Sequence, residues 1–502
     1  MLRGEDPVLR REDVLIQGDV IAAVGENVPP PPGAQVLDAS RFIVVPGLIN
    51  AHTHSHNNLL RGLADNWTLE ELLNHGAALN AERDYEDHYL SAALGAVEML
   101  KTGTTAAYDL FMAWPAPTEE AVAAVVQAYV DVGLRAVVAP AVADIVFYRT
   151  VPGLSDLLTP ELQTLVRSME AAPTRHLAAL AENAIRRFDG AAGGRVRVGL
   201  APTIPGQCTD ELLEAFAGLA REYGVTLHTH LAETKVQVIH AQRRWGKTIV
   251  QQCRDAGLLG SHFVGAHAIW LTDGDMRLMG EAGATAVHNP ASNLKLGSGI
   301  APVREWLDHG IGAALGTDGS MSSDNQNMFE AMHLAAMLSN VRHPHQPERW
   351  PGAREVWRMA AAGGARGLGD PDELGRIEAG CKADLVLLDA DSAALKPLNH
   401  PVNPLVYIES GASVDTVIVD GRLVVAGGRV LTVDEDRLRR RAQAAAERLR
   451  AANKERFELA RRLTPYIAAA CRQAVLEPYP VNRYAVSVQA GRQYGESRLR
   501  RS

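Results

Sequence analysis

The chain has 502 residues, beyond the size at which one hydrophobic core keeps growing, so two or more structural units are expected. Hydrophobic residues make up 47% and charged residues 22%, which excludes a disordered chain; a net charge of −9, with no basic stripe through the body, argues against a nucleic-acid partner. Four scattered cysteines, a charged start (MLRGEDPVLRRED) and no apolar run of about 18 residues argue against disulfides, a secretory leader and any membrane association, so a cytoplasmic protein is expected.

In chain order, DVLIQGDVIAAVGENV (13–28) and AQVLDASRFIVVPG (34–47) are β-branched runs broken by Gly18, Gly25 and the prolines at 29–32, a pattern of short strands and turns. The same texture returns in GCKADLVLLDAD (380–391) and SVDTVIVDGRLVVAGGRVL (413–431). One small β-sandwich built from both ends, residues 1–45 and 381–433, is therefore expected. Between them, over 46–380, strand-like runs alternate with helix-like ones. RVRVGLAPT (195–203), DELLEAFAGLAREYG (210–224), VTLHTHLAE (225–233), HFVGAHAIWL (262–271), TAVHNP (285–290) and IGAALGTDG (311–319) carry that rhythm. It predicts an α/β fold, a distorted (β/α)8 TIM barrel. An open doubly wound sheet fits less well, because ligand-type residues end several successive strands instead of gathering at one crossover. Beyond 433, Leu438, Ala442, Ala445, Leu449 and Ala452 fall at helical spacing. A helical extension over 434–475, packed on the barrel or on a partner subunit, is expected, followed by an extended or partly disordered tail over 478–502.

The stretch PGLINAHTHSH (46–56) sets His52 and His54 at i, i+2, on one face of a strand. Two imidazoles there make half a metal site, although an HxH pair alone fits a core strand equally well. His56 continues the alternation where strand gives way to loop. In VTLHTHLAE, His228 and His230 alternate again and Glu233 follows; a carboxylate there can carry a proton from water to a leaving nitrogen. His267 ends the strand FVGAHAIWL, and Asp318 stands where GTDG turns into a loop. Singly these last two read as a buried histidine and a turn. Together, four strand ends presenting HxH, HxxE, H and D form a set of nitrogen and oxygen ligands with acid–base groups. Spacing leaves the choice between His228 and His230 open.

Several motifs are similar to those of the amidohydrolase superfamily, in its aminohydrolase branch of S-adenosylhomocysteine, guanine and 8-oxoguanine deaminases and triazine hydrolases. They are VVPGLINAHTHSHNNLLRGLADN (44–66), EMLKTGTTAAYDL (98–110), HTHLAETKVQV (228–238), GAHAIWLTDGD (265–275), HNPASNLKLGSGIAPV (288–303), GTDGSMSSDNQNMFEAMHLA (316–335) and GRIEAGCKADLVLLD (375–389). The resemblance spans about residues 13–433. It implies metal ligands His52, His54, His230 and Asp318, selecting His230 over His228. It implies Glu233 as proton shuttle, His267 as the group that polarises the electrophile or the attacking water, and Asp318 as acceptor of the water's proton. One divalent ion, Zn2+ or else Fe2+, is implied, since RVRVGLAPT lacks the lysine that bridges two ions in other members.

The implied reaction is hydrolytic deamination of an amino-substituted N-heterocycle such as a purine, pterin or s-triazine. Hydrolysis of a cyclic amide, amidine, urea or carbon–halogen bond is the alternative on the same scaffold. A non-catalytic oligomeric scaffold is a remote one, because the ligand and acid–base set is complete. The resemblance fails at two places that shape the pocket. Thr203 and Gly206 stand where adenosine-handling members carry a histidine and an aromatic residue, and TLEELLNHG (68–76) replaces a tryptophan-bearing segment. Arg61, Gln207, His288 and Asn293 are the expected substrate contacts. The family's additional strand before Asp13 has no counterpart, so either the sandwich lacks an edge or the start is misassigned. The extension past Val433 is expected to serve a homo-oligomer, dimer or tetramer.

Overall fold

Parallel strands from the middle of the chain close into a barrel. The computed structural model describes residues 1–4 and 8–485; the rest of the tail, expected to be extended or disordered, lies outside the described residues. The strands are β1 (Leu48–Thr53), β2 (Thr104–Phe111), β3 (Arg135–Val142), β4 (Val196–Val198, resuming at Ala201–Pro202), β5 (Leu227–Leu231), β6 (Phe263–His267), β7 (Thr285–His288) and β8 (Gly312–Leu315). One hydrogen-bonded sheet holds β1 to β4 and another holds β5 to β8. Two single bridges, Leu200 to Leu227 and Thr53 to Asp318, join the halves into a distorted (β/α)8 barrel.

Helices cover the outside, so β1, β2 and β3 are buried along their whole length, which is why they read as runs of Ala, Val, Ile and Thr. The break in β4 falls at Gly199, where the Tyr108 hydroxyl stands 2.1 Å from the place a Cβ would occupy. Thr118, Thr209, Thr234 and Thr272 each accept a backbone N–H at a helix start, the capping that turns chain from strand end into helix over a short loop.

Both chain ends build the β-sandwich. Its antiparallel sheet runs Arg429–Val430, Arg422–Ala426, Val414–Val419, Leu385–Asp389, Phe42–Pro46, and a ribbon of Asp13–Gln17 with Val20–Gly25 faces it across Ile21, Ile377, Cys381, Ala383 and Leu385. The first residues run along Phe42–Pro46: the Leu2 N–H donates to the Val44 carbonyl at 2.8 Å. A buried ion network joins sandwich to barrel. Arg135 of β3 donates to Asp384 at 3.0 and 3.1 Å and to Asp420 at 2.8 Å. Burial opposes its charge, but the two carboxylates outweigh that and raise its pKa.

The extension is two helices, not one. Glu435–Ala452 lies on Tyr85–Lys101, burying Leu438, Ala442, Ala445 and Leu449. The chain then breaks at Asn453, whose buried amide donates to the Ala81 carbonyl at 2.8 Å, and Lys454–Ala474 packs on Leu69–Leu79 of the same chain. After it, the residues up to 485 form neither helix nor strand but are tied down: Tyr479 donates to the Trp270 carbonyl and Arg483 to that of Leu271, at 3.2 and 2.6 Å. Among the described residues, no helix is long and apolar enough to cross a membrane.

Candidate active site

The C-terminal ends of β1, β5, β6 and β8 aim their polar side chains at one point, as the barrel geometry requires. Strand alternation sends His52 and His54 inward from β1, with His54 Nε2 3.0 Å from His230 Nε2 and 3.2 Å from Asp318 Oδ1. His52 Nε2 stands 3.6 Å from that same oxygen, and His267 Nε2 is 4.0 Å from Asp318 Oδ2. The donor atoms of His52, His54 and His230 lie within 4.8 Å of one another, as do those of His52, His267 and Asp318.

The hydrogen bonds behind these rings fix their tautomers. His54 Nδ1 donates to the Leu110 carbonyl at 2.8 Å, and His230 Nδ1 donates to the Thr203 carbonyl at 2.6 Å. A carbonyl only accepts, so each Nδ1 carries the hydrogen and each Nε2 is a bare lone pair. Two lone pairs facing at 3.0 Å repel unless a cation lies between them. Neither nitrogen of the buried His52 ring has a partner. Burial, with the His52 and His54 rings next, holds His230 far below the usual imidazole pKa. Burial alone would raise the Asp318 pKa, but the His52, His54 and His267 rings around it hold it well below the ordinary carboxylate value. Beside Asp318 the pKa of His54 is raised against burial, and imidazoles around a carboxylate are the donor set of a divalent cation.

Local chain geometry holds these groups in place. Ala232, His267 and Asp318 all have left-handed backbone, with φ of 48°, 66° and 62°, each a strain on the order of 1–3 kcal/mol. Gly316 and Gly319 flank Asp318 because β8 presses on β1: a Cβ on Gly316 would stand 2.8 Å from His52 Cβ. The Gly319 N–H and the Ser292 hydroxyl donate to the two Asp318 oxygens at 2.8 and 2.5 Å. Behind His54, Asp109 accepts the Ser55 N–H at 2.8 Å and the Tyr129 hydroxyl at 3.0 Å. Asp109 and Ser292 have no signal of their own in the sequence; both sit inside the quoted motifs.

Glu233 is fully buried and neither of its oxygens has a partner. Burial, aided by the Asp318 and Glu70 carboxylates, raises its pKa well above the usual value. His267 Nδ1 lies 3.8 Å from Glu233 Oε1 and donates to Asn293 Oδ1 at 2.9 Å. A cleft of about 1030 Å³ opens above, between Leu69, Leu72 and Leu73 on one side and Trp114, Phe147 and Tyr148 on the other.

Of the four expected substrate contacts, only Gln207 lines the cleft. Arg61 is paired with Glu98, and Asn293 spends its carbonyl on His267. His288 is buried and packs edge-on against Trp306. His56 does face the cleft, its Nδ1 accepting the Met112 N–H at 3.2 Å. His228 lies one layer deeper, its ring 4.5 Å from that of Tyr108 and 5.0 Å from that of His52.

Residues 43–424 match the model of the amidohydrolase family, and the chain belongs to that family. A 5'-deoxyadenosine deaminase of Methanothermobacter thermautotrophicus is 34% identical over 442 residues, covering 88% of this chain and 95% of its own. A 5-methylthioadenosine/S-adenosylhomocysteine deaminase of Pyrococcus furiosus is 35% identical over 439 residues, 87% of this chain and 96% of its own. Among solved structures, an atrazine chlorohydrolase mutant from Arthrobacter aurescens TC1, complexed with zinc and atraton, superposes with a TM-score of 0.80 at 27% identity, covering 87% of this chain and 96% of that one. A zinc-bound adenosine deaminase from Xanthomonas campestris gives 0.77 at 26% identity, covering 88% and 94%. Zinc in these related structures and the donor set described above support one divalent metal ion here.

Proposed function

We propose that this chain is a metal-dependent hydrolase that deaminates an amino-substituted N-heterocycle such as a purine, pterin or s-triazine. The observation that carries the reading is the buried, unpartnered Glu233 beside a cluster of imidazole nitrogens and a carboxylate able to hold a metal ion. His52, His54, His230 and Asp318 would hold the ion, Zn2+ ahead of Fe2+. When bound, such an ion supplies Lewis acidity that brings the pKa of water from about 15.7 towards about 7.

Asp318, ionised and oriented by Ser292 and Gly319, accepts the proton of the attacking water. His267, its Nδ1 hydrogen held by Asn293, accepts a hydrogen bond from that water at Nε2 and steadies the charge that develops. Glu233 protonates the ring nitrogen next to the attacked carbon, takes the proton of the new hydroxyl and passes it to the departing amine, and the proton held by Asp318 restores it, so no unpaired charge is left in a dry site. Chloride as leaving group is a second reading, favoured by the fold match to the chlorohydrolase. The same protonation of the ring by Glu233 would serve it.

The test is ammonia and chloride release from a panel of aminopurines, pterins, aminotriazines and chlorotriazines. Glu233→Gln should keep close to one metal per chain by elemental analysis and lose at least about 100-fold in turnover. Unchanged turnover removes Glu233 from the mechanism, and two metals per chain overturn the one-ion site. A reducing cytoplasm suits the four free, buried cysteines, and a homo-oligomer completes the reading.

A further inference from the structure

The cleft that rests on this reading also narrows its substrate. Among the described residues, the carboxyl groups lining it are those of Glu233 and Asp318, both committed to the chemistry at its floor, and no lysine or arginine lines it. Nearby cations are spent or set back. Arg61 pairs with Glu98, and Arg149 donates to the Met169 carbonyl at 3.0 Å. Arg83, near enough to His56 to lower its pKa, does not line the cleft. Above the floor the walls are the side chains of Leu72, Leu73, Trp114, Phe147 and Met321. A charged substituent lying there would leave water without a partner, a large penalty in such surroundings.

Asn57, Asn80 and Gln207, with the His56 ring and the Tyr148 and Ser322 hydroxyls, supply what polarity the walls have. Gln207 lines the cleft with its side chain unbonded, and Asn80 Oδ1 is buried without a partner while its Nδ2 donates to the Gly76 carbonyl at 3.0 Å. Amides of this kind read neutral donors and acceptors such as ring nitrogens and exocyclic N–H groups. They offer no counter-ion. We infer that the substrate is an amino-heterocycle whose substituents are uncharged and apolar, with Gln207 and Asn80 reading its neutral edge, and that heterocycles with an ammonium, carboxylate or phosphate tail are rejected.

This separates the chain from a relative named for S-adenosylhomocysteine, whose amino-acid tail carries both charges. The experiment uses the full-length, metal-loaded protein and matched pairs on each ring: an alkyl substituent against the same alkyl ending in carboxylate or in ammonium, and 5'-deoxyadenosine against S-adenosylhomocysteine. Amine release should give a kcat/KM at least about 100-fold lower for every charged member. Leu73→Arg should shift the ratio of carboxylate-bearing to neutral substrate at least about tenfold towards the carboxylate. Charged members within tenfold of the neutral ones overturn the inference and leave the deaminase reading intact. If such turnover is lost in Arg83→Met, that guanidinium is the tail's partner and the inference is again overturned. Silence on both members of every pair overturns the deaminase reading itself, and the inference with it.

Discussion

The bare Nε2 atoms of His54 and His230 face each other because Leu110 and Thr203 hold the opposite side of each ring with backbone carbonyls. The sequence displays one half of that arrangement. Strand period two makes HxH legible, whereas spacing alone leaves His228 and His230 equal and the family resemblance is what marks His230. A carbonyl acceptor has no side-chain signature, so neither Leu110 nor Thr203 could be read from the chain. Long-range pairing hides in the same way. Arg61 looks free in the loop after the histidine motif, yet Glu98, far along the chain, takes its charge.

A buried histidine outside the site gives a test at this scale. His88 packs against the edge of Phe111, and burial, with the Arg83 charge next, lowers its pKa to about 4. The unfolded ring titrates near about 6.5. As pH falls through about 6.5 the unfolded chain takes up a proton that the folded one refuses until about 4. Stability therefore drains across that window and is undiminished above it. For His88→Leu, the loss of unfolding free energy from pH 7 to about pH 4 in urea titrations of metal-free protein should shrink by roughly 3 kcal/mol. An unchanged loss would mean the folded ring titrates normally.

At the scale of elements, the strand–helix rhythm and the texture of the two chain ends were legible because burial on both faces imposes continuous apolar runs. The gap in β4 was not, since it answers to Tyr108 on β2, two strands away in the sheet. The break at Asn453 was hidden too: helical spacing runs smoothly through it, and the carbonyls that claim its amide lie more than 370 residues earlier. That amide and the helix after it brace Leu69–Leu79, the helix whose leucines wall the cleft. Ile467 is fully buried there among Leu154, Leu158 and Val236. Ile467→Ala should cost about 2–4 kcal/mol in chemical denaturation. Where the fold survives, KM should rise several-fold with kcat within about twofold, because the loosened wall binds substrate and does not touch the reacting atoms. A fall in kcat with KM unchanged would place the helix in the chemical step.

Across the whole molecule, Arg135 makes the barrel and the sandwich one mechanical unit. Its guanidinium is buried between Asp384 and Asp420, carboxylates that a variant lacking it would strand. Arg135→Met should cost about 3–5 kcal/mol. Calorimetry should show one transition for the parent and two for the variant, the sandwich melting first. One sharp transition in the variant would show that apolar packing alone couples the units. None of the three residues stands out in the sequence, because the partners lie some 250 to 285 positions apart.

That separation has a meaning in time. A chain emerging from the ribosome presents Leu69–Leu79 and Arg135 long before the segments that complete them. The barrel strands can all be synthesised while one cleft wall is still unbacked and Arg135 still lacks its anions. Contacts of such sequence separation form late and slowly. The nascent protein therefore passes through a stage in which every expected ligand is already made and the cleft is still open. Only the last fifty or so described residues, arriving after the chemistry is encoded, turn that intermediate into an enzyme with a shaped pocket.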